Sequence, residues 1–215
     1  MQEALGGSEE LAAIQDVDWT VRAKTWNQSG APGPDVERRI RWIRPNVFRK
    51  DQRNGERVIK YFFDGEAGWE LVPQAGLVEL EGRELEFVSG EANSTYPQKW
   101  LPDRYPSLRV ISGGPDVIRV LGGDGTSGKD IVVDLETGLP LRIVGTTLSG
   151  KIGAAYTRVP KRLEFAEWRT VAGIKWPRRL VNFHYGVKLA DMTTTEVGID
   201  VGLDIDDLAR KPDVG

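Results

Sequence analysis

Apolar and polar residues alternate along most of the chain, and the first clear example is the run Val17, Trp19, Val21 and Ala23, whose intervening residues are charged or polar. A period of two is typical of a strand that buries one face. Similar runs predict further strands at 36–48, 57–63, 68–72, 108–111, 116–121, 130–135, 139–148, 161–171, 174–185 and 194–203.

Turn-forming residues separate these runs and favour hairpins between consecutive strands. Asn54-Gly55 is the strongest such signal, because both residues tolerate the positive φ angles of a tight turn. The segment 77–106 breaks the alternation, and its glycines and prolines favour a helical or loop insertion that packs on the sheet. A short helix-prone segment at 8–14 precedes the first strand.

About ten hairpin-linked strands without alternating helices predict a mainly β (α+β) fold. The expected architecture is one strongly curved antiparallel sheet, with one face buried and covered by a small helical component. No repeat or linker divides residues 1–215, so we expect a single domain.

Composition excludes several kinds of chemistry. The chain has no cysteine and one histidine, His184, which excludes disulfides, thiol nucleophiles, cysteine-bound zinc and histidine-rich metal sites. A net charge of -3 gives no overall attraction to nucleic acid. The chain contains no apolar run of about 18 residues, the length that would predict a membrane-spanning helix. Without a visible signal peptide, the sequence fits a cytoplasmic protein or an exported one whose signal was removed.

The segment from Gly123 to Lys129 has the spacing G-x-x-x-x-G-K of a phosphate-binding loop. Asp130 follows in place of the Ser or Thr that would bind Mg²⁺, and the next residues predict a strand instead of a helix. We therefore interpret this segment as a hairpin turn.

The sequence offers little support for a catalytic site. His184 lies on a predicted strand without a G-x-S-x-G nucleophile elbow, and we interpret it as an exposed strand histidine. Two carboxylate pairs, Glu164 with Glu167 and Asp134 with Glu136, could support glycosidase chemistry. With 32 acidic residues in the chain, such pairs also arise by chance.

Two charged segments have simple interpretations. The acidic run 200–207 lacks the glycine and glutamate of an EF-hand loop, and we interpret it as a solvated terminus. The basic stretch 38–57 contains Trp42 and Phe48, a combination that can bind single-stranded nucleic acid. Because its charges alternate with apolar residues, one wet and one buried strand face is the simpler interpretation, and we expect no nucleic-acid partner.

Aromatic residues are the most informative feature of the chain. Seven of them lie on predicted strands with aliphatic partners two residues away: Trp19, Trp42, Tyr61, Phe63, Trp69, Trp168 and Trp176. In a curled sheet they either fill the core or line a cavity for an apolar ligand, and the pattern leaves both possibilities open.

Four segments carry a family resemblance: 3–14 (EALGGSEELAAI), 64–69 (DGEAGW), 134–140 (DLETGLP) and 168–177 (WRTVAGIKWP). In order and spacing they are similar to the bacterial periplasmic lipoprotein carriers LolA and LolB. The resemblance implies an open half-barrel whose concave face is covered by short helices. It implies a periplasmic protein, with its signal peptide removed, that binds a lipid-like or lipoprotein acyl ligand without catalysis.

The chain departs from these carriers in two respects. The helix that precedes the Ala-Leu-Gly-Gly stretch in the carriers is missing or trimmed, and only Arg39 and Arg41 are near candidates for their ligand-handling arginine. We nevertheless expect a monomeric, non-enzymatic carrier without cofactor or metal, which could act with an envelope protein partner. The expected ligand-binding residues are Trp19, Val21, Ile40, Trp42, Tyr61, Phe63, Trp69, Leu71 and Trp100.

Two other functions stay open. An envelope sensor or protein-interaction module would have the same sheet with a filled core. A hydrolase that uses a carboxylate pair is less favoured, and it would require two carboxylates about 5–9 Å apart in a cleft.

Overall fold

The computed structural model describes residues 1–73, 75–95, 97–122, 128–150 and 155–209, and its strands form one antiparallel sheet. The strands are β1 (Asp16–Thr25), β2 (Val36–Ile43), β3 (Val47–Asn54), β4 (Arg57–Phe63), β5 (Gly68–Val72), β6 (Gly76–Leu80), β7 (Leu108–Gly114), β8 (Val117–Gly122), β9 (Gly128–Val133), β10 (Pro140–Ser149), β11 (Thr157–Val171), β12 (Ile174–His184) and β13 (Val187–Ile199). The helices are α1 (Gln2–Leu5), α2 (Ser8–Ala13), α3 (Gly82–Asn93) and α4 (Ile205–Ala209), and two 3₁₀ turns lie at Gln98–Trp100 and Pro102–Arg104.

The sheet is a continuous meander of 13 strands with one long-range pairing, between β1 and β13 at its centre. From there the strands follow in order to β6 at one edge and to β7 at the other. The described strands therefore form an open half-barrel, and short helices accompany it. The predicted mainly β, curved antiparallel fold is confirmed.

Several strand boundaries differ from the prediction, and in three places the difference moves a turn or adds a strand. The run at 36–48 is divided into β2 and β3, because Pro45 cannot donate a ladder hydrogen bond and the chain turns there. Residues 77–80 belong to strand β6 rather than to the insertion, since they pair with β5. The last strand spans 187–199 instead of 194–203, because Tyr185 and Gly186 have φ angles of 51° and 78° and turn the chain directly after β12.

The phosphate-loop-like segment connects two paired strands. Residues 123–127 lie outside the described residues, so the turn itself is not described. β8 and β9 pair in an antiparallel manner on either side of it, with Leu121 opposite Gly128. The strand predicted after the segment is confirmed by β9.

The inner face of the sheet carries the main hydrophobic core. Residues that oppose each other on paired strands share a face, and Val17 lies opposite Trp42 while Trp19 lies opposite Ile40. Leu5 of α1 and Leu11 of α2 are buried in the same core. A second cluster joins α3 to the strands of one arm: Phe48, Phe63, Leu80, Val88 and Ala92.

The outer face of β2 and β3 is polar, as the alternation predicts. Arg39 pairs with Asp18 of β1, while Arg41 and Arg49 pair with Asp51. The interpretation of the basic stretch as a strand with one wet face therefore holds for these arginines, which are neutralised by carboxylates.

The acidic run after β13 is tied to the sheet. The buried carboxylate of Asp16 accepts hydrogen bonds from the backbone N–H groups of Val201, Gly202 and Leu203, at 2.8, 3.0 and 3.2 Å. Helix α4 then packs against β3 and β4, and Leu208 is buried. The aspartates of this run are exposed, as expected of a solvated segment, but its backbone is anchored.

Candidate ligand-binding cavity

A cavity of about 510 Å³ lies between the inner face of the sheet and the segment formed by α3 and the following 3₁₀ turn. Ligand pockets usually have volumes of about 300–1,000 Å³, so this cavity has the size of a small-molecule site. Glu86 of α3 and Arg158 of β11 line it and form an ion pair, with side chains 48% and 57% exposed. The cavity therefore opens to solvent beside this pair.

Apolar side chains from both arms of the sheet contribute much of the lining. They are Trp19, Ile40, Phe48, Phe87, Ile143, Leu148, Leu163, Leu180 and Met192. Two of the residues that we expected to bind ligand, Trp19 and Ile40, are among them. The hollow part of the half-barrel is thus bounded partly by aliphatic residues of β10 to β13, which the aromatic pattern did not indicate.

Four expected residues lie in packed parts of the molecule. Val21, Trp42, Phe63 and Trp100 are 1%, 0%, 4% and 0% exposed, and none of them lines the cavity. Val21, Trp42 and Trp100 belong to the main core, whereas Phe63 packs in the α3 cluster.

The aromatic residues mainly fill one end of the half-barrel. The rings of Trp19 and Trp176 meet edge to face with centroids 5.3 Å apart. Trp100 makes similar contacts with Phe165 at 5.2 Å and Trp168 at 6.4 Å. Edge-to-face and tilted pairs at these distances are favourable packing arrangements. The core is consequently filled where these rings meet and hollow beside them.

The remaining expected residues lie on β4 and β5, on opposite faces. Tyr61 is on the inner face, where the ammonium of Lys50 lies 4.5 Å from its ring centroid. Trp69 and Leu71 lie on the outer face, because the register pairs them with Phe62 and Lys60, not with the inner residues Tyr61 and Phe63. Neither Trp69 nor Leu71 lines the cavity.

An ion pair crosses from α3 to the sheet at one side of the cavity. Lys50 Nζ donates to Glu91 Oε2 at 3.0 Å, and the Lys50 side chain is 9% exposed. The positive charge of Lys50 lowers the pKa of Glu91 to about 2, and Lys161 and Arg38 act in the same direction. Arg38, in turn, donates from Nε to Gln52 Oε1 at 2.8 Å.

Three further lysines line the cavity. Lys129 and Lys161 come from β9 and β11, and Lys99 comes from the 3₁₀ turn opposite the sheet. Burial, followed by the charges of Lys161 and Lys129, lowers the pKa of Lys99 to about 7. Burial and the charge of Lys161 also lower the pKa of Lys129. Among the described residues, no carboxylate forms an ion pair with Lys99, Lys129 or Lys161.

His184 is buried, which corrects its interpretation as an exposed strand histidine. It is 8% exposed and lies opposite Lys161 on the inner face, whereas its neighbour Phe183 lies on the outer face under the guanidinium of Arg162. The polar residues Asn182 and His184 at the end of this strand therefore face inward. Burial and the charge of Lys161 lower the pKa of His184, which favours the neutral imidazole.

Asn182 shares the inner face with His184 and lines the cavity. Its buried side-chain oxygen has no hydrogen-bond partner within the described part of the chain. A buried polar atom without a partner is unfavourable, so this amide is available to a bound molecule.

The candidate arginines and carboxylates lie outside the cavity. Arg39 and Arg41 face outward, and the arginine that reaches the cavity from the same strand is Arg38. Glu164 pairs with Arg162 on the surface, and Glu167 lies 3.8 Å from Arg178.

Asp134 has a structural role. Its Oδ1 accepts hydrogen bonds from the backbone N–H groups of Glu136 and Thr137, which closes the turn before β10. The described residues contain no group of three histidine or acidic side chains that could hold a metal ion. None of the described helices combines the length and the apolar character that a membrane-spanning helix requires.

No protein-family model matches the chain, and no curated protein matches its sequence. Solved structures share its fold, and two of them superpose over nearly the whole chain. A DUF1329 family protein from Desulfovibrio piger superposes with a TM-score of 0.64 at 12% identity, over 94% of this chain and 92% of its own. A LolA superfamily protein from Nitrosomonas europaea superposes with a TM-score of 0.62 at 15% identity, over 98% of this chain and 97% of its own.

The chain therefore has a LolA-like fold, as the resemblance of its sequence segments implied. Fold and cavity together define an open half-barrel whose interior is packed at one end. The other end holds a cavity that is partly apolar and partly basic.

Proposed function

We propose that the protein is a periplasmic, non-enzymatic carrier that binds one lipid-like molecule in the cavity and buries its acyl chain against the inner face of the sheet. The observation that carries the proposal is a cavity of about 510 Å³, lined by aliphatic side chains of β10 to β13, inside a LolA-like fold. The LolA resemblance supports the periplasmic location and an envelope protein as the partner that supplies or receives the ligand.

The energetics of burial fit a reversible carrier. Each methylene group moved from water into an apolar site contributes about 0.8 kcal/mol. The burial of about ten methylenes releases enough free energy to offset the loss of translational and rotational freedom on binding. The surplus is small enough that the ligand can still dissociate. The rim at Glu86 and Arg158 offers an entrance through which such a chain can slide without unfolding the sheet.

Binding can be tested with a variant that fills the cavity. Ile143 lines the cavity on β10, and its neighbour Val144 points outward and is 41% exposed. We expect Ile143→Trp to abolish displacement of the neutral probe N-phenylnaphthylamine by decanoic acid, and Val144→Trp to leave it unchanged. Native mass spectrometry of the protein from its own host should detect a bound lipid-like molecule.

Two results would contradict the carrier. One is the absence of any co-purified lipid together with no binding of probe or fatty acid by the wild type. The other is equal binding by the wild type and Ile143→Trp, which would place the ligand outside the cavity. The first result would favour an interaction module whose core needs no ligand.

A further inference from the structure

The cavity is positively charged inside a protein that is negative overall. Its lining includes six basic and two acidic side chains, a formal charge of +4, whereas the whole chain carries -3. Both acidic residues already have partners, because Glu91 pairs with Lys50 and Glu86 pairs with Arg158. The excess charge therefore belongs to residues that no carboxylate of the described chain neutralises.

Lys129 and Lys161 lie in one row across neighbouring strands, and Gly145 lies between them. Gly145 is opposite Lys161 in the β10–β11 pairing, and a Cβ at Gly145 would lie 3.2 Å from the Cβ of Lys129. The two lysines consequently flank a position with no side chain. Lys99 of the 3₁₀ turn lines the same cavity, so three lysines and the side-chain-free position at Gly145 contribute to one part of its lining.

Three like charges in a partly dehydrated space repel one another, and the pKa values of Lys99 and Lys129 are lowered first by burial and then by the neighbouring lysine charges. An anion bound among them would remove the repulsion and form charge-assisted hydrogen bonds, which are the strong ones. The apolar lining begins on the same strands, since Leu163 lies two residues beyond Lys161 and Ile143 two residues before Gly145. Head-group and chain positions are thus contiguous.

We propose that the ligand is an anionic amphiphile, whose phosphate or carboxylate head group is bound by Lys99, Lys129 and Lys161 while its chain lies along Ile143, Leu163 and Leu180. This assignment rests on the proposed carrier function. Asn182, which lines the same cavity, lies opposite Leu163 and two residues before His184, the residue opposite Lys161, so its side-chain amide is next to the row of the head-group lysines.

Matched ligands separate the head group from the chain. Decyl phosphate, decanoic acid, decanol and inorganic phosphate are each used to displace N-phenylnaphthylamine or to titrate the protein by calorimetry. We expect decyl phosphate and decanoic acid to bind at least about tenfold more tightly than decanol, since a charge-assisted hydrogen bond contributes about 1.5–3 kcal/mol. Inorganic phosphate alone should bind far more weakly than decyl phosphate.

Lysine variants test the site itself. Lys129→Gln with Lys161→Gln should lower the affinity for decyl phosphate at least about tenfold and leave that for decanol unchanged. Lys99→Gln provides a second test on a different element, in case the double variant folds poorly. The control is Lys24→Gln, which changes an exposed lysine of β1 and should alter neither affinity.

The outcomes distinguish this inference from the proposed function. Equal affinities for decyl phosphate and decanol, or an undiminished preference for the anion in the lysine variants, would overturn the head-group assignment and leave the carrier function standing. Binding of inorganic phosphate as tightly as decyl phosphate would overturn the carrier function, because the chain would then contribute nothing. Failure of all four ligands to bind would overturn both.

Discussion

At the scale of residues, the environment of the cavity disfavours the charged form of two of its lysines, Lys99 and Lys129. The lowered pKa of Lys99, about 7, arises from burial and from the charges of Lys161 and Lys129. A lysine with a lowered pKa in the folded state binds fewer protons there than in the unfolded chain. Folding therefore becomes more favourable as the pH rises from about 7 towards the unfolded value near 10.4.

We expect Lys99→Gln to stabilise the ligand-free protein most below a pH of about 7, where the wild-type lysine is charged in both states. The gain should shrink as the pH rises towards about 10, because the wild-type folded protein then carries a neutral Lys99. Urea unfolding at several pH values measures the difference, with Lys24→Gln as the exposed control. A gain that is the same at every pH would show that charge repulsion at Lys99 is not its source.

The sequence pattern predicts that the basic residues of the cavity point to the inner face of the sheet. It does not predict that they lie close to one another. Arg38 lies two residues before Ile40, Lys129 two before Ile131 and Lys161 two before Leu163, so a period of two places each basic group on the apolar face. Which strands become neighbours, and where the insertion brings Lys99, depends on pairings remote in sequence. The pairing of β4 with β5 is likewise not predictable from the local pattern. It sets Trp69 opposite Phe62 and Leu71 opposite Lys60, and so places both residues on the outer face.

At the scale of elements, the insertion shows tertiary packing overriding local preference. Helix α3 contains Gly90 and begins at Gly82, two residues that disfavour helices, and the side chain of its N-cap residue Glu81 makes no capping hydrogen bond. Its apolar residues nevertheless pack on the sheet, with Val88 1% and Ala92 0% exposed. Most helical stability in proteins comes from such packing, so composition alone predicted only a helical or loop insertion.

Substitution by alanine should change the stability of the fold in opposite directions at two glycines, Gly68 of β5, which lies under α3, and Gly90 within α3. A Cβ at Gly68 of β5 would lie 2.8 Å from Val88 Cγ1, so Gly68→Ala should push α3 away and destabilise the fold by about 1–3 kcal/mol. A Cβ at Gly90 meets nothing within 4 Å, so Gly90→Ala should stabilise the helix by about 0.5–1 kcal/mol. Urea unfolding with unchanged slopes measures both, and a neutral Gly68→Ala would contradict the close approach of α3.

Two of the four segments that carried the family resemblance, 64–69 and 134–140, have a common local basis. Asp64 Oδ1 accepts the N–H groups of Glu66 and Ala67 at 2.9 and 2.8 Å, and Asp134 Oδ1 makes the same two bonds to the residues two and three positions later. Asp in this position favours a tight turn. These two segments therefore mark the turns between β4 and β5 and between β9 and β10, but they contain nothing that reports on the ligand.

At the scale of the whole molecule, one sheet supports two kinds of interior. The main cluster draws residues from both arms and includes the aromatic contacts, whereas the α3 cluster belongs to the β3–β6 arm. The cavity lies between α3 and the inner face of the sheet, and both arms contribute to its lining. The free energy gained by packing the aromatic cluster therefore offsets the cost of a cavity with unpaired charges. Binding sites commonly hold their polar groups in place at such a cost to stability.

Because the sheet is continuous, we expect residues 1–215 to unfold as a single domain. Ile40 packs against both clusters, and the β2–β3 pairing joins the two arms without a break, so neither cluster can lose its packing without exposing the other. Unfolding in urea followed by tryptophan fluorescence, which reports mainly on the main cluster, should coincide with unfolding followed by far-ultraviolet circular dichroism. Hydrogen exchange, peptide by peptide, supplies the sharper test, because subglobal opening of a separate unit would appear there first. If β3 to β6 and α3 exchange together at a lower urea concentration than β10 to β13, the chain consists of two cooperative units and the single-domain prediction is wrong.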